Sequence, residues 1–539
     1  MTPVKKNRKT IRKTSAIRSR TQRSDFALSS NLLYLPEPLL EFRYGQKLAY
    51  PRDGLFLFGP VGDVNHLRTV RYGVIGTVEG VRRFRAWAST VRRLIDVPLP
   101  GPRSRSIEPQ HVPFPGFREA FHAEWPDPVA VIDNLLPQNI DRTLKIRNRH
   151  EAIRSAVDLF VSSLVAEHNR LEHPPAFWFV VIPEIVYQLG RPRSTVRKSE
   201  QVAGSVTVTA ARARHLAVEP TLFGIEDGEA EVYRYATHFR RQLKARLLKD
   251  RIVTQIIRET TLTPEEFKHE SGLPIRRVED AATIAWKLCT AAYYKAGGRP
   301  WQLADVRPAV CYVGLVYKRS ELTTDVRQAC CAAQMFLSDG EGVVFRGALG
   351  PWFQTDTKQF HLDRPAARNL GDMVISEYKR LHDEPPKELF IHAKSAFSDD
   401  EWAGFQDACP AGTNLVGVQI SDARDDLKLF RPGAYPVIRG TALQIGTRTA
   451  FLWTSGYAPR LDTYMGPETP NPISVRILRG ERPLDVVLRD VLGLTKINFN
   501  SCLHNDRMPV TIRFANAVGD VLISAPMDSE PRLPFKFYI

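Results

Sequence analysis

Arg240, Lys244, Gln255 and Lys295 are the residues whose types and spacing suggest chemistry. Arg240 and Lys244 stand four apart on a predicted helix over 237–249, so both heads lie on one face. Gln255 follows near the start of the next element, the apolar stretch Ile252–Ile257. Lys295 ends a helical segment just before Gly297-Gly298. A terminal phosphate is a compact dianion that needs several converging donors. Two cations on one helix face, an amide and a distant Lys could supply them. Each charge-assisted bond contributes about 1.5–3 kcal/mol. The spacing taken alone equally describes a solvated helix face.

The elements around these residues suggest an α/β protein. Val70–Thr77 reads as a strand, Val78–Arg93 as a helix, and Ile153, Val157, Phe160, Val161 and Leu164 recur at helical spacing. Phe177–Ile182 (FWFVVI) reads as a buried strand ending at Pro183, which suggests a parallel sheet covered by helices. Gly297-Gly298-Arg299-Pro300 reads as a domain boundary. Beyond it come a strand at Ala309–Val316, and a hairpin of Gln334–Leu337 and Val343–Arg346 about Ser338–Gly342. A helix follows, started by Asp363 and Pro365, then a strand at Leu389–His392. Ser398 and Glu401 form a capping box for the next helix, and Leu415–Ile420 is a further strand. Hairpin, helix, strand, helix, strand is the order of an RNase H-like domain, though other α/β folds share it.

Composition limits the partners. The 539 residues carry 75 Lys and Arg against 59 Asp and Glu, a net charge of +16, which favours a polyanion. Nine of the basic residues lie between Lys5 and Arg23, in a segment with no apolar run; it reads as a disordered basic arm. The six Cys (289, 311, 330, 331, 409 and 502) form no Cys-x-x-Cys pair, so zinc ribbons and disulfide frameworks are not expected and a cytoplasmic setting fits. No run approaches a membrane span, and no membrane partner is expected. No phosphate-binding Gly-rich loop follows a strand, so a nucleotide-cofactor enzyme is unsupported.

The order Arg240–Lys244, Gln255, Lys295-Ala296-Gly297-Gly298 resembles the 5′-phosphate pocket of the MID domain of Argonaute proteins, and FWFVVIP resembles its Rossmann-like strand. The family has an aromatic, His or Arg at the first position, where this chain has Arg240, with His238 as an alternative. Ile438–Thr441, Leu452–Tyr457, Leu494–Asn500 and Pro509–Ala515 resemble the C-terminal PIWI pattern of prokaryotic Argonautes. The two matches span 68 to 539. The resemblance implies a basic arm (1–25), an N-terminal extension (26–67), a Rossmann-like MID domain (68–300) and an RNase H-like PIWI domain (301–539).

Cutting PIWI domains hold two metal ions with carboxylates. Here Val316 stands where the first acid is expected, and His392-Ala393-Lys394 where the second is; Asp520 falls near the last position, and Asp339 and Glu341 sit in the hairpin turn. The expectation is a non-cutting subunit, not an enzyme. The resemblance further implies that the terminal carboxylate of Ile539 and Gln255 hold a Mg²⁺ beside the guide phosphate, and that Lys496, Asn500 and Arg513 contact strand backbones. It also implies a short prokaryotic Argonaute of an immune system. That protein would bind a 5′-phosphorylated guide, RNA by expectation, recognise complementary single-stranded DNA, and activate an APAZ-domain partner of SIR2, TIR or nuclease type. The alternatives are an active RNase H-like nuclease or transposase-type enzyme, and a guide-independent basic nucleic-acid-binding protein.

Overall fold

The computed structural model describes residues 31–62, 67–97, 110–216, 219, 224–305, 307–318, 329–336, 342–350, 353–354, 359–423, 427–464, 466, 468–526 and 533–539. The arm at 1–25, and the turn with Asp339 and Glu341, lie outside these residues.

Two sheets organise the chain. Their strands are, in order, β1 (Leu32–Tyr34), β2 (Tyr72–Ile75), β3 (Ala130–Ile132), β4 (Phe177–Ile182), β5 (Thr254–Arg258), β6 (Val310–Lys318), β7 (Ala329–Phe336), β8 (Gly342–Gly350), β9 (Glu388–Ala393), β10 (Asn414–Asp422), β11 (Thr441–Gly446), β12 (Thr449–Leu452), β13 (Ile473–Arg479) and β14 (Leu533–Pro534). The smaller sheet has the order β3-β2-β4-β5 with every pair parallel. Every residue of β4 is buried, as its unbroken apolar run requires of a central strand covered on both faces. Close packing sets its neighbour too: a Cβ on Gly73 would lie 2.4 Å from the Trp178 ring. Helices α1 (Val78–Thr90), α2 (Arg149–Arg170), α3 (Phe239–Leu247) and α4 (Ala281–Lys295) belong to this half. Thr77 caps α1 by accepting from Gly80 N (3.0 Å), and Asn148 caps α2.

The larger sheet runs β1-β11-β12-β13-β10-β9-β6-β7-β8-β14. At its centre β9 pairs in parallel with β6 and β10, while β6, β7 and β8 form an antiparallel meander. The chain is thus α/β with mixed sheets. Helices α5 (Arg364–His382) and α6 (Asp399–Ala408) pack on one face, and α7 (Val510–Leu522) lies along β6 on the other. The capping box is half formed. Ser398 Oγ accepts from Glu401 N (3.2 Å), but the Glu401 carboxylate is buried and accepts instead from Tyr317 Oη and Leu362 N.

Within the N-terminal extension, the described residues 31–62 are built into the body. β1 pairs with β11, and Glu37 enters a buried ion cluster with Arg439 (2.8 Å) and Lys496 (2.5 Å). These cations hold the Glu37 carboxyl down to about 2, although burial opposes them. Arg52, on the short helix Pro51–Leu57, donates to Cys502 O (3.0 Å) and to Thr283 Oγ1 (3.2 Å) on α4, so the segment ties both halves together. A three-residue edge strand has no periodicity to reveal it, and a charge cluster assembled from positions 37, 439 and 496 leaves no local signal.

Glu37→Ala is expected to strand Arg439 and Lys496 in the interior and to cost about 3–5 kcal/mol, read from urea unfolding. A second expectation concerns pH. Burial pushes the His392 and His504 imidazoles down to about 3. The unfolded chain therefore binds more protons below an ordinary His pKa of about 6.5, and stability falls as pH falls through that value. Each ring contributes up to about 1.4 kcal/mol per pH unit. The urea midpoint of His392→Asn should fall less steeply than that of the parent between pH 6.5 and 5, and equal slopes would remove the assignment.

Candidate nucleic-acid interface

Three of the residues singled out by spacing converge on one point. Lys244, on the second turn of α3, donates from Nζ to Thr254 O (3.0 Å), to Thr254 Oγ1 (3.3 Å) and to the main-chain oxygen of Ile539 (2.6 Å). Lys295, the last residue of α4, donates to the same Thr254 O (2.9 Å), to Gln255 Oε1 (2.6 Å) and to the same Ile539 oxygen (2.8 Å). Both lysines are buried; burial pushes their pKa values well below the ordinary Lys value, and the Arg240 charge adds to this. Two ammoniums that share acceptors in the interior repel one another, so the site is pre-charged for an anion.

The residues around this point extend the field. Arg240, one turn before Lys244, keeps some contact with water but is surrounded by the walls of a cleft; that desolvation, then the Arg241 charge, lowers its pKa. His238 precedes α3; burial, then Arg241 and Arg240, push it down to about 4, so it is a neutral ring near pH 7 and not a third cation. Its buried Nδ1 has no hydrogen-bond partner among the described residues. A cavity of about 420 Å³ opens here, lined by Arg240, Arg241, Lys244, Arg258, Asp520 and Tyr538 among others. The Arg258 guanidinium lies 3.5 Å from the Tyr187 ring centroid and is held by Glu184 (2.5 Å). Spacing did not flag Arg241 or Arg258, and the Thr254 carbonyl belongs to the backbone, where side-chain type carries no information.

Lys496, Asn500 and Arg513 were expected on strand backbones. The structure instead places Lys496 in the interior, bonded to Glu37 (2.5 Å) and Ala49 O (2.6 Å), where burial lowers it to about 8. That corrects its assignment, because an enclosed ammonium is not displayed to a strand. Arg513 is half exposed and paired with Asp506. The Asn500 main-chain N–H is capped by Asn498 Oδ1 (3.0 Å). Neither lies in the cavity lining.

The donor set expected for Mg²⁺ is already committed. Gln255 Oε1 accepts from Lys295, and the Ile539 oxygen accepts from both Lys244 and Lys295. No group of three His, Cys, Asp or Glu that could hold a metal occurs among the described residues. Gln255 Oε1 and the Ile539 oxygen are oxygen donors of the kind Mg²⁺ takes, and a divalent ion here would compete with the two lysines that now occupy them. Of the positions where acids would stand, Val316 is buried against α7, Ala393 is buried and Lys394 is exposed. Asp520 pairs with Arg241 (2.7 Å) and Lys318 (2.9 Å).

No protein-family model matches the chain. Among curated proteins, the Protein argonaute of Aquifex aeolicus (strain VF5) is 23% identical over 283 residues, which are 52% of this chain and 35% of that protein. Among solved structures, Clostridium butyricum Argonaute bound to a guide DNA and a 19-mer target DNA superposes with a TM-score of 0.56 at 16% identity, over 94% of this chain and 55% of that one. A. aeolicus Argonaute gives 0.52 at 14% identity, over 92% and 54%. The chain is Argonaute-like in sequence and in fold. It spans about half the length of these structures and about a third of the curated relative. No helix among the described residues is long and apolar enough to cross a membrane.

If the Lys244–Lys295 pair is an anion seat, inorganic phosphate should raise the melting temperature. The gain should shrink as pH rises, well before the ordinary Lys pKa of about 10.5, because the ammoniums lose their protons early. Lys295→Met should abolish the gain; a gain that survives in that variant would place the anion elsewhere.

Proposed function

We propose that this chain is the guide-binding Argonaute subunit of a prokaryotic immune system, and that it recognises a complementary strand without cutting it. The single observation that carries the reading is the convergence of Lys244 and Lys295 on shared acceptors beside Gln255, with Lys244 and Arg240 both lining one cavity. In this reading the parallel β3-β2-β4-β5 sheet is a Rossmann-like MID domain. The cavity adjoins the carboxyl ends of β4 and β5, where open α/β sheets bind ligands. The order β8-β7-β6-β9-β10, a meander followed by parallel strands, is that of an RNase H-like PIWI domain.

A 5′-phosphorylated guide, RNA by preference, places its terminal phosphate against the two ammoniums and Arg240. The guide phosphate takes over the role of the Ile539 oxygen in balancing them. Pairing with single-stranded DNA of a plasmid or phage supplies sequence recognition, while the protein reads backbone. Val316, Ala393 and Lys394 support absence of cutting, since they offer no carboxylate at the ends of β6 and β9. A subunit that recognises without cutting acts through another chain, and the family resemblance points to an APAZ-domain effector. The reading routes no step through a metal ion.

The test is the nucleic acid that copurifies with the full chain. It should be short and 5′-phosphorylated, and a 5′-hydroxyl guide should bind about 10- to 100-fold more weakly, the equivalent of one charge-assisted bond. Lys244→Ala should lose the preference. Equal affinity for 5′-phosphate and 5′-hydroxyl strands, with a steep salt dependence, would favour a guide-independent basic protein. Cleavage of a paired target with Mg²⁺ or Mn²⁺ would favour the nuclease.

A further inference from the structure

We propose that Lys318 and Lys394 form a second phosphate site, which grips the backbone of a strand at the carboxyl ends of β6 and β9. The strand's identity as the complement of a bound guide rests on the function proposed above; the site itself rests on geometry.

Alternation along the strands fixes which residues share a face. Cys311, Val313 and Leu315 of β6, with Leu389, Ile391 and Ala393 of β9, pack in the core beneath α5 and α6. Gly314, Val316 and Lys318 therefore point to the opposite face, towards α7, as does His392. Contacts agree. His392 Nδ1 is 2.9 Å from Thr511 Oγ1 on α7, and a Cβ on Gly519 of α7 would lie 2.6 Å from Lys318 Cγ and 3.5 Å from Val316 Cγ2. The missing side chain at Gly519 lets the Lys318 stem lie against the helix, and Asp520 then holds its ammonium at 2.9 Å. β6 and β9 are parallel, with Ala393 opposite Leu315, so Lys394 is the first residue past the end of β9; Lys318, Asp422 and Asp520 are the charges near enough to act on it, which puts it on the Lys318 face.

The charge at this point is uneven. Asp520 is shared by Lys318 and Arg241 (2.7 Å), and Asp422 is taken by Arg507 (2.5 Å). Lys394 makes no ion pair among the described residues; it feels Lys318 as a like charge and Asp422 and Asp520 only at longer range. Four cations thus face two carboxylates where open α/β sheets take ligands, and a backbone phosphate supplies the missing negative charge. Asp520 and Arg241 also line the cavity that holds Arg240 and Lys244. The two basic sites therefore share a wall, and a strand anchored at the first is led towards the second.

The full chain is loaded with a synthetic 5′-phosphorylated guide, RNA and DNA in separate arms, and titrated with complementary single-stranded DNA over a range of salt concentrations. Lys394→Ala removes an exposed, unpaired ammonium and leaves folding intact. It is expected to weaken complement binding several-fold and to lower the slope of log affinity against log salt by about 0.7–1. Lys318→Ala/Lys394→Ala should lower it by about twice that, with guide affinity unchanged. Lys379→Ala, a charge-matched change on α5, should do neither. A double variant whose complement affinity and salt slope both match Lys379→Ala overturns the site. If the parent chain loads no guide, the proposed function fails instead. The same salt titration with single-stranded DNA alone then decides the Lys pair, by whether its slope falls or stays.

Discussion

The main-chain oxygen of Ile539 is the point on which the rest of the site depends. It accepts from Lys244 and Lys295 together, and Thr254 O accepts from the same two ammoniums. α3, α4, β5 and the last residue of the sequence are thereby tied at one place. Two buried lysines without acceptors would shed their protons or open the structure to water. With acceptors they stay close enough to act together. The last residues reach this position because β14 pairs with β8 at the edge of the larger sheet, and Phe535, Tyr538 and Ile539 are buried behind it. The buried lysine pair beside the smaller sheet is thus completed by a segment that belongs to the larger one.

The same logic, a buried charge that organises distant segments, recurs at Glu37. Arg439 and Lys496 both sit in stretches that resemble the PIWI pattern, and both turn inward to one carboxylate from the N-terminal segment. Their place in the interior is therefore explained by the Glu37 carboxylate that both of them meet. Arg439 also donates to Thr495 Oγ1 (2.8 Å), so the cluster reaches the start of the Leu494–Asn500 run. A cation that closes an interior network stabilises the platform on which exposed cations act.

Part of this was legible from residue type and order. β4 was readable because a run of six apolar residues stopped by Pro183 fits a central strand covered on both faces, and its bounds agree with the sequence reading. Lys244, Gln255 and Lys295 were readable because their order resembles a known pocket, and the structure does bring them together. Lys496 shows where such reading stops. A lysine in a run of mixed residues is equally consistent with a surface contact and with a buried pair, and only the three-dimensional approach of Glu37, far away in sequence, decides between them. Arg513 and Asp506 repeat the lesson at short range. Thr254 O lay beyond sequence reading altogether, since every residue carries a carbonyl and only the path of β5 aims this one.

The net charge of +16 takes a more definite meaning once the cations are sorted. Those at Lys496, Arg439 and Arg52 are spent on internal acceptors and add nothing to a surface field. Those at Arg240, Arg241 and Lys244 line a cavity, and Lys318 shares Asp520 with Arg241 at its border. A cleft concentrates field because its low-dielectric walls confine it, so a few cations within one act more strongly on an anion than the same number spread over a convex surface. The location of the surplus therefore says more about the partner than its size does. A row of cations running from a buried lysine pair to an open strand end fits an extended polyanion, with one terminal charge to be enclosed and further charges along its length to be met in passing.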